Sequence, residues 1–286
     1  MSVPSQPSPL APALALARSF LFVPGNRPER FAKALASGAD AVIIDLEDAV
    51  PLDAKAAARD ALLAAWPDFD AAQRARLLVR VNPAGVPWHE ADLAAVASLT
   101  GLGAVMLPKA ETPEQISHAI HISGLPVLPL IESAEGLGQM DLIARTPGVL
   151  RLVLGHIDLQ ADLGLSCGPD EAELAPVRLA LVVASRRAGL PSPVDGVTTA
   201  TQDAEVLARD AQRSRRFGMG AKLCIHPAQV AGVHQALAPT DAECDWARRV
   251  LAAEAAAGGG AFSVDGKMVD PPVLLLARKL LQLRER

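Results

Sequence analysis

The sequence predicts an α/β fold, namely a (β/α)8 TIM barrel with a C-terminal helical arm. Short apolar runs, each of a length typical of a strand buried on both faces, alternate with helical patterns along most of the chain. The links between them are short, which requires parallel strands joined by right-handed crossovers. The runs number eight, and eight strands close a barrel with a packed interior.

Composition limits the class of protein. The chain has 286 residues, of which 50% are hydrophobic, and a net charge of −5. This favours one large domain of about 250 residues plus an appendage. Mild acidity without a basic block argues against nucleic acid as a partner, and no apolar run approaches the ~18 residues of a membrane span. The three cysteines lack CxxC spacing, which predicts a reducing cytoplasm rather than disulfides or a thiolate metal site.

Residues 1–17 are rich in Pro, Ala and Ser and are predicted to be a flexible tail, and residues 18–238 are predicted to form the barrel. A Pro-Gly pair ends the first strand, and Pro28 and Gly38 mark the start and end of the first helix. The predicted strands are 19–25, 41–47, 77–82, 104–109, 127–132, 152–158, 192–197 and 221–226. The predicted helices between them are 28–37, 53–65, 88–98, 112–122, 135–145, 173–188 and 202–215.

Residues 239–286 follow the eighth strand and are predicted to be an extension. A helix over 241–257 precedes a Gly258-Gly-Gly hinge, a short segment over 261–270 and a last helix over 271–284. A barrel needs no such arm to close its core. We therefore expect the arm to cover an active site, either that of its own barrel or that of a neighbouring subunit.

Two carboxylates follow neighbouring predicted strands: Glu132 ends the fifth and Asp158 ends the sixth. Parallel neighbours end at the same edge of a sheet, so the two acids would repel each other unless a cation lies between them. A hard divalent ion with oxygen ligands is the usual solution, and we predict a magnesium site. The alternative for either acid alone is a carboxylate favoured by the dipole of the following helix.

Arg80 ends a buried strand, where a guanidinium is costly unless it meets carboxylates or a bound anion. An ion pair with Glu47 or Asp48 is one explanation, and it is compatible with a functional role. Glu47 and Asp48 are predicted to hold metal-bound water and Arg80 rather than to ligate the metal. Other polar residues at predicted strand ends are Asn26, Arg27, Asp45, Asn82, Lys109, Asp195 and His226. Lys109 is predicted either to bind substrate or to form a salt bridge, and the sequence does not favour one role over the other. For His226, a capping or core role is favoured over a catalytic one.

With these residues assembled, the sequence resembles the citrate lyase beta subunit-like family of the HpcH/HpaI aldolase/citrate lyase superfamily, close to citramalyl-CoA and malyl-CoA lyases. The resemblance extends from residue 18 to the last helix. The matching segments are Arg18–Asn26, Ala41–Val50, Arg80–Asn82, Leu107–Lys109, Ile131–Gly136, Gly155–Gly164, Ile225–Pro227 and Gly266–Pro271.

The resemblance implies that Glu132 and Asp158 hold Mg²⁺ and that Arg80 contacts substrate. It further implies that Asp270 is an acid/base residue supplied by the arm of an adjacent subunit, in a homotrimer. The positions that it places near a coenzyme A thioester or nucleotide are Phe22, Arg30, Lys33, Ile225 and His226. Relatives often carry Tyr where this chain has Phe22, so no hydroxyl is available there.

The function implied is a magnesium-dependent carbon–carbon lyase. Its substrate would be a 3-hydroxyacyl thioester of the citramalyl-CoA, malyl-CoA or citryl type, carried on coenzyme A or an acyl carrier, and its products a 2-oxo acid and an acetyl thioester. One alternative is a metal-dependent aldolase acting on free 2-oxo-hydroxy acids, which needs the same metal pair but no thioester pocket. Another is a non-catalytic subunit of a larger lyase complex, which would not cleave thioesters alone.

Overall fold

A closed barrel forms the centre of the fold. The computed structural model describes residues 11–257 and 262–284, and within them eight parallel strands pair in chain order, with the first also pairing with the eighth. This confirms the predicted (β/α)8 architecture. The strands are β1 Ser19–Pro24, β2 Ala41–Asp45, β3 Leu77–Arg80, β4 Ala104–Leu107, β5 Val127–Ile131, β6 Val153–Leu154, β7 Val194–Asp195 and β8 Ala221–Cys224.

Helices surround the strands and agree with most of the predicted ones to within a few residues. They are α1 Ala11–Leu16, α2 Phe31–Leu35, α3 Lys55–Ala65, α4 Ala71–Ala75, α5 His89–Ala97, α6 Pro113–Ser123, α7 Ala134–Arg145, α8 His156–Leu163, α9 Ala175–Arg187, α10 Ala204–Phe217 and α11 Gln229–Leu237. Local signals explain their bounds: a capping box at Thr112 starts α6, and Gly124 ends it in the left-handed conformation, with φ 68°. Helices α1, α4, α8 and α11 were not predicted.

The barrel interior explains why functional groups collect at one end. Alternate residues of each strand point inward, among them Ile43, Leu78 and Leu130, which are buried in a single apolar cluster. Each of these three residues is followed, two positions later, by a polar residue: Asp45, Arg80 and Glu132, respectively. The same alternation that packs the core therefore directs polar side chains to the carboxyl ends of β2, β3 and β5.

The structure differs from the predicted flexible tail at residues 11–17. Residues 11–16 form helix α1, and Leu14 is fully buried in the barrel cluster. The buried guanidinium of Arg151 donates to the carbonyls of Leu14 and Ala17, at 3.4 and 2.7 Å. The Pro and Ser residues suggested disorder, but an apolar side chain from this segment packs against the strands. Residues 1–10 lie outside the described part of the chain.

The chain divides into two compact units, Met1–His234 and Gln235–Arg286. The predicted boundary between residues 238 and 239 lies just after α11. In the second unit, α12 (Asp241–Ala257), the antiparallel pair β9 (Phe262–Val264) and β10 (Lys267–Val269), and α13 (Pro271–Arg284) share a small core. The core residues are Ala247, Val250, Val269, Ala277 and Leu280. The hairpin was not predicted, and the predicted Gly258 hinge lies outside the described residues.

Two expectations from composition can be compared with the structure. In the ranges 11–257 and 262–284, no helix combines the length and apolar character needed to cross a bilayer. Cys167, Cys224 and Cys244 carry free thiols. A cytoplasmic location stays a prediction.

The burial of Leu14 predicts a large cost of truncation. Leu14→Ala should lower the free energy of unfolding by about 2–5 kcal/mol, because it leaves a cavity in the barrel core. Leu16→Ala is the matched control, since Leu16 is in the same helix but 49% exposed, and it should cost much less. Urea unfolding of both variants measures the difference. Equal small costs would show that α1 does not pack on the barrel.

Candidate active site

Arg80 lies at the centre of the site. It ends β3 and is 8% exposed, and its guanidinium donates to both carboxylate oxygens of Asp45, with Nε–Oδ1 at 2.7 Å and Nη2–Oδ2 at 2.6 Å. The two residues are partners in the β2–β3 register. Nη1 lies 3.0 Å from Glu47 Oε2 and 3.5 Å from Asp48 Oδ2, the two partners that the sequence predicted. Asp45, which accepts two hydrogen bonds from Arg80, was not predicted to be its partner.

The guanidinium of Arg80 is fixed on a second side. Its Cζ lies 4.8 Å from the centroid of the half-buried Phe22 ring, in a cation–π contact. Asp45 also accepts hydrogen bonds from the backbone N–H groups of Glu47 and Ala49, at 2.9 and 3.0 Å. One buried carboxylate therefore fixes both Arg80 and the loop that carries Glu47 and Asp48.

Glu132 follows β5 and is 3% exposed. Burial, followed by repulsion from Glu47 and Asp158, raises its pKa from 4.5 to about 8, although the backbone N–H of Lys109 donates to Oε1 at 2.8 Å. Burial also raises the pKa of Glu47, to about 7, despite the opposing charge of Arg80. The site therefore holds more carboxylate than its own cations stabilise in the ionised form. This donor set fits a divalent cation with oxygen ligands.

Asp158 does not end a strand, and the sixth predicted strand, 152–158, is wrong in this respect. Strand β6 ends at Leu154, and Asp158 lies exposed in the first turn of α8. The apolar residues 152–154 and Ile157 resembled one continuous run, but Gly155 interrupts it and a helix begins at His156. Asp158 is nevertheless close enough to Glu132 for its charge to raise the pKa of that carboxyl. Its place in the first turn of a helix agrees with the alternative of a carboxylate favoured by the helix dipole, and its role as a metal ligand stays a prediction.

Gly155 leaves the space that Glu132 occupies. A Cβ built at Gly155 would lie 2.6 Å from Glu132 Cβ, far below an ordinary contact distance. This residue was not predicted from the sequence. A glycine in an apolar run that resembles a strand is a signal of close approach by a neighbouring group, and this signal was available.

His156, at the start of α8, was also missed. It is buried, its Nε2 lies 3.7 Å from Glu171 Oε1, and Glu171 pairs in turn with Arg178 and Arg213. Burial lowers the pKa of His156. His156, at the start of the helix that carries Asp158, is therefore a buried ring beside the ion pairs of Glu171.

The predicted thioester positions lie on three segments. Phe22 is half-buried in β1, Arg30 and Lys33 are exposed just before and within α2, and Ile225 and His226 are exposed after β8. The buried side chain of Gln229 accepts hydrogen bonds from the backbone N–H groups of Ile225 and His226, at 2.9 and 3.2 Å, which fixes that loop. His226 Nδ1 accepts from the backbone N–H of Ala228 at 3.2 Å, a contact of the capping kind.

The family of the chain follows from comparison with known proteins. A model of the HpcH/HpaI aldolase/citrate lyase family matches residues 18–227. The chain belongs to this family. The resemblance noted in the sequence is thereby confirmed, and the matched range includes every barrel strand.

Relatives and solved structures agree with the family. A citrate lyase subunit beta-like protein of Deinococcus radiodurans is 41% identical over 278 residues, covering 93% of this chain and 97% of that protein. A (3S)-malyl-CoA thioesterase of Cereibacter sphaeroides (strain ATCC 17029 / ATH 2.4.9) is 35% identical over 272 residues, covering 94% of each. The crystal structure of CitE from Mycobacterium tuberculosis with magnesium, acetoacetate and coenzyme A has a TM-score of 0.84 at 37% identity, covering 95% of this chain and 100% of that one.

Three other polar residues of this HpcH/HpaI family member, Asn82, Asp195 and Lys109, lie near the strand ends. The amide of Asn82 donates to Asp92 Oδ2 at 2.6 Å and to the carbonyl of Leu46 at 3.0 Å. Asp195 pairs with Arg178 of α9, and accepts from the hydroxyl of Ser214 in α10. Lys109 is half-exposed, with Nζ 3.9 Å from Glu47 Oε1.

Asp270 belongs to the second compact unit of the family member and directly precedes α13. Its Oδ1 accepts a hydrogen bond from the backbone N–H of Val273 at 3.3 Å, and its carbonyl accepts from Leu274 at 3.1 Å. The residue is half-buried within this unit. In this geometry it starts the last helix.

The position of Gly155 predicts opposite effects for two glycine substitutions. Gly155→Ala should destabilise the protein by about 1–3 kcal/mol, because the new methyl group displaces Glu132. Gly138→Ala, in α7 where a Cβ meets no atom within 4 Å, should stabilise it by up to about 1 kcal/mol. Denaturant unfolding of both variants provides the test. A neutral Gly155→Ala would mean that Glu132 does not occupy this space.

Proposed function

We propose that this chain is a magnesium-dependent carbon–carbon lyase. It cleaves a 3-hydroxyacyl thioester, of the citramalyl-CoA, malyl-CoA or citryl type, to a 2-oxo acid and an acetyl thioester. The observation that carries the proposal is the cluster at the strand ends, where Glu132 and Glu47 have raised pKa values beside a fixed Arg80. Membership of the HpcH/HpaI family, and a similar protein that binds magnesium and coenzyme A, support it.

Glu132 and Asp158 are the residues that would hold Mg²⁺. Their mutual repulsion, the burial of Glu132 and the space left by Gly155 fit a dication that restores charge balance. When bound, Mg²⁺ would supply a positive charge that lowers the pKa of a substrate hydroxyl and orients the adjacent carboxylate. Glu47 and Asp48 lie on the Arg80 side and would hold metal-bound water.

Arg80 would stabilise negative charge on the substrate. Its guanidinium is fixed by Asp45 and Phe22 before any ligand binds, so little reorganisation accompanies the reaction. In the cleavage step, the hydroxyl proton leaves and the hydroxyl carbon becomes a carbonyl. The electrons of the broken carbon–carbon bond pass to the acetyl thioester as its enolate. A proton added to the enolate carbon completes the reaction.

Asp270 is the proposed acid/base for these proton transfers. We propose that it acts from the C-terminal arm of an adjacent subunit in a homotrimer. Phe22, Arg30, Lys33, Ile225 and His226 would contact the thioester or nucleotide. The two exposed cations among them, Arg30 and Lys33, suit the phosphates of coenzyme A.

Thioester hydrolysis is a second candidate, because a relative with 35% identity is a (3S)-malyl-CoA thioesterase. The products distinguish the two reactions. Incubation with malyl-CoA and Mg²⁺ should release glyoxylate and acetyl-CoA if the chain is a lyase, and malate and free coenzyme A if it is a thioesterase. Release of malate without glyoxylate would replace the lyase proposal with hydrolysis.

The metal assignment predicts that Glu132→Gln and Asp158→Asn each lower turnover by at least about a hundredfold, because either change removes a charged ligand. Both variants should fold. Glu135→Gln, at an exposed acid three residues after Glu132, is the matched control and should remain active. Steady-state assays and magnesium calorimetry measure the effects. Full activity of either ligand variant in chelator-treated protein would remove the metal from the proposed mechanism.

The role of Asp270 predicts a separation of kinetic constants. Asp270→Asn should lower kcat by about 10²–10⁴-fold and leave KM nearly unchanged, because binding groups remain while the proton transfer is lost. Wild-type turnover would confine Asp270 to the start of α13.

Mixed oligomers test whether Asp270 acts between subunits. Co-expression of Asp270→Asn and Glu132→Gln chains should restore part of the activity, since some sites then combine an intact barrel with an intact arm. No recovery in verified mixed oligomers would place Asp270 in the site of its own subunit.

A further inference from the structure

A second group of metal-ligating side chains lies on the helices outside the barrel. His89 and Glu90 start α5, and His118 is in the middle of α6. One ligand atom of each residue lies within 4.8 Å of those of the other two. His118 Nε2 is 2.9 and 3.2 Å from the two carboxylate oxygens of Glu90. The imidazole rings of His89 and His118 lie side by side, with centroids 6.2 Å apart and an angle of 29° between their planes.

The hydrogen bond made by His89 determines which of its nitrogens can bind a metal. Its side chain is 3% exposed, and Nδ1 lies 2.7 Å from the backbone carbonyl oxygen of Asn82. A carbonyl only accepts, so Nδ1 carries the proton and Nε2 keeps its lone pair in the neutral ring. Histidines that bind metals commonly donate their other N–H to a carbonyl or carboxylate in this way.

The carbonyl that orients His89 is itself fixed. The backbone N–H of Asn82 donates to Asp92 Oδ2 at 3.0 Å, and its amide donates to Asp92 and to the carbonyl of Leu46. Asp92 is fully buried. The orientation of the His89 ring is therefore set by a buried network, whereas an ordinary surface histidine rotates freely.

We propose that His89, Glu90 and His118 form a binding site for Zn²⁺ or a similar late first-row transition metal, separate from the magnesium site proposed at the strand ends. Two imidazole nitrogens and one carboxylate suit these ions, whereas Mg²⁺ and Ca²⁺ prefer oxygen ligands alone. The side chains of His118 and Glu90 are 45% and 66% exposed, which leaves room for water as a fourth ligand. The bound ion would link α5 to α6.

Zinc binding to the full chain tests the proposal. Isothermal titration with ZnCl₂ is done in saturating Mg²⁺, so that the strand-end acids are occupied, and Co²⁺ absorption serves as an independent signal of ligation. His118→Ala should weaken zinc binding at this site by at least about tenfold. His121→Ala is the matched control, because His121 is exposed in the same helix and lies outside the group. It should bind like the wild type.

Two further variants separate the possible outcomes. Glu90→Gln keeps the shape of the side chain and should also weaken zinc binding, which excludes misfolding as the cause of the His118→Ala result. Glu132→Gln should retain full zinc affinity, because it affects only the strand-end acids. Zinc should raise the unfolding midpoint of the wild type and of Glu132→Gln, but not that of His118→Ala. Wild-type affinity and stoichiometry in His118→Ala, or no zinc binding by the wild type, would overturn the proposal.

Discussion

An imbalance of buried charge at the carboxyl ends of β2, β3 and β5 is the constraint on which the site depends. Arg80 is the buried cation there, and its bidentate bond with Asp45 already uses two of its three nitrogens. The third nitrogen of Arg80 is shared between Glu47 and Asp48, while Glu132 accepts a hydrogen bond from the backbone N–H of Lys109. Burial without a matching cation raises the pKa values of both glutamates. A divalent ion would stabilise the ionised form of both, which links the electrostatics of the rim to the proposed chemistry.

The barrel was predictable from the sequence because its signals are local and repeated. Strands buried on both faces appear as short apolar runs, and strand alternation carries the inward pattern from Leu78 to Arg80 and from Leu130 to Glu132. The position of Arg80 and Glu132 at the carboxyl ends of their strands therefore follows from the sequence alone. Asp45 follows Ile43 by the same alternation, but its pairing with Arg80 depends on the β2–β3 register, which the sequence does not state.

The features that the sequence analysis missed depend on contacts between distant segments. Strand β6 has only two residues, and the helix that follows begins directly after Gly155, with the buried His156 beside Glu171. Gly155 contributes to the site by lacking a side chain, because Glu132 occupies the space where a Cβ would lie, and the sequence does not show that Glu132 packs there. Helix α1 was missed because the composition around it suggests disorder, whereas the burial of Leu14 depends on the distant strands of the barrel.

The excess of carboxylate at the strand ends is proposed to be balanced by a divalent cation held by Glu132 and Asp158. Crystals soaked with Mn²⁺ in place of Mg²⁺ locate such a cation, because manganese gives an anomalous signal. One peak is expected within bonding distance of carboxylate oxygens of both residues, at about 2.0–2.2 Å as for small divalent ions. A peak bound elsewhere on the barrel, or crystals in which these two side chains face apart with no ion between them, would contradict it.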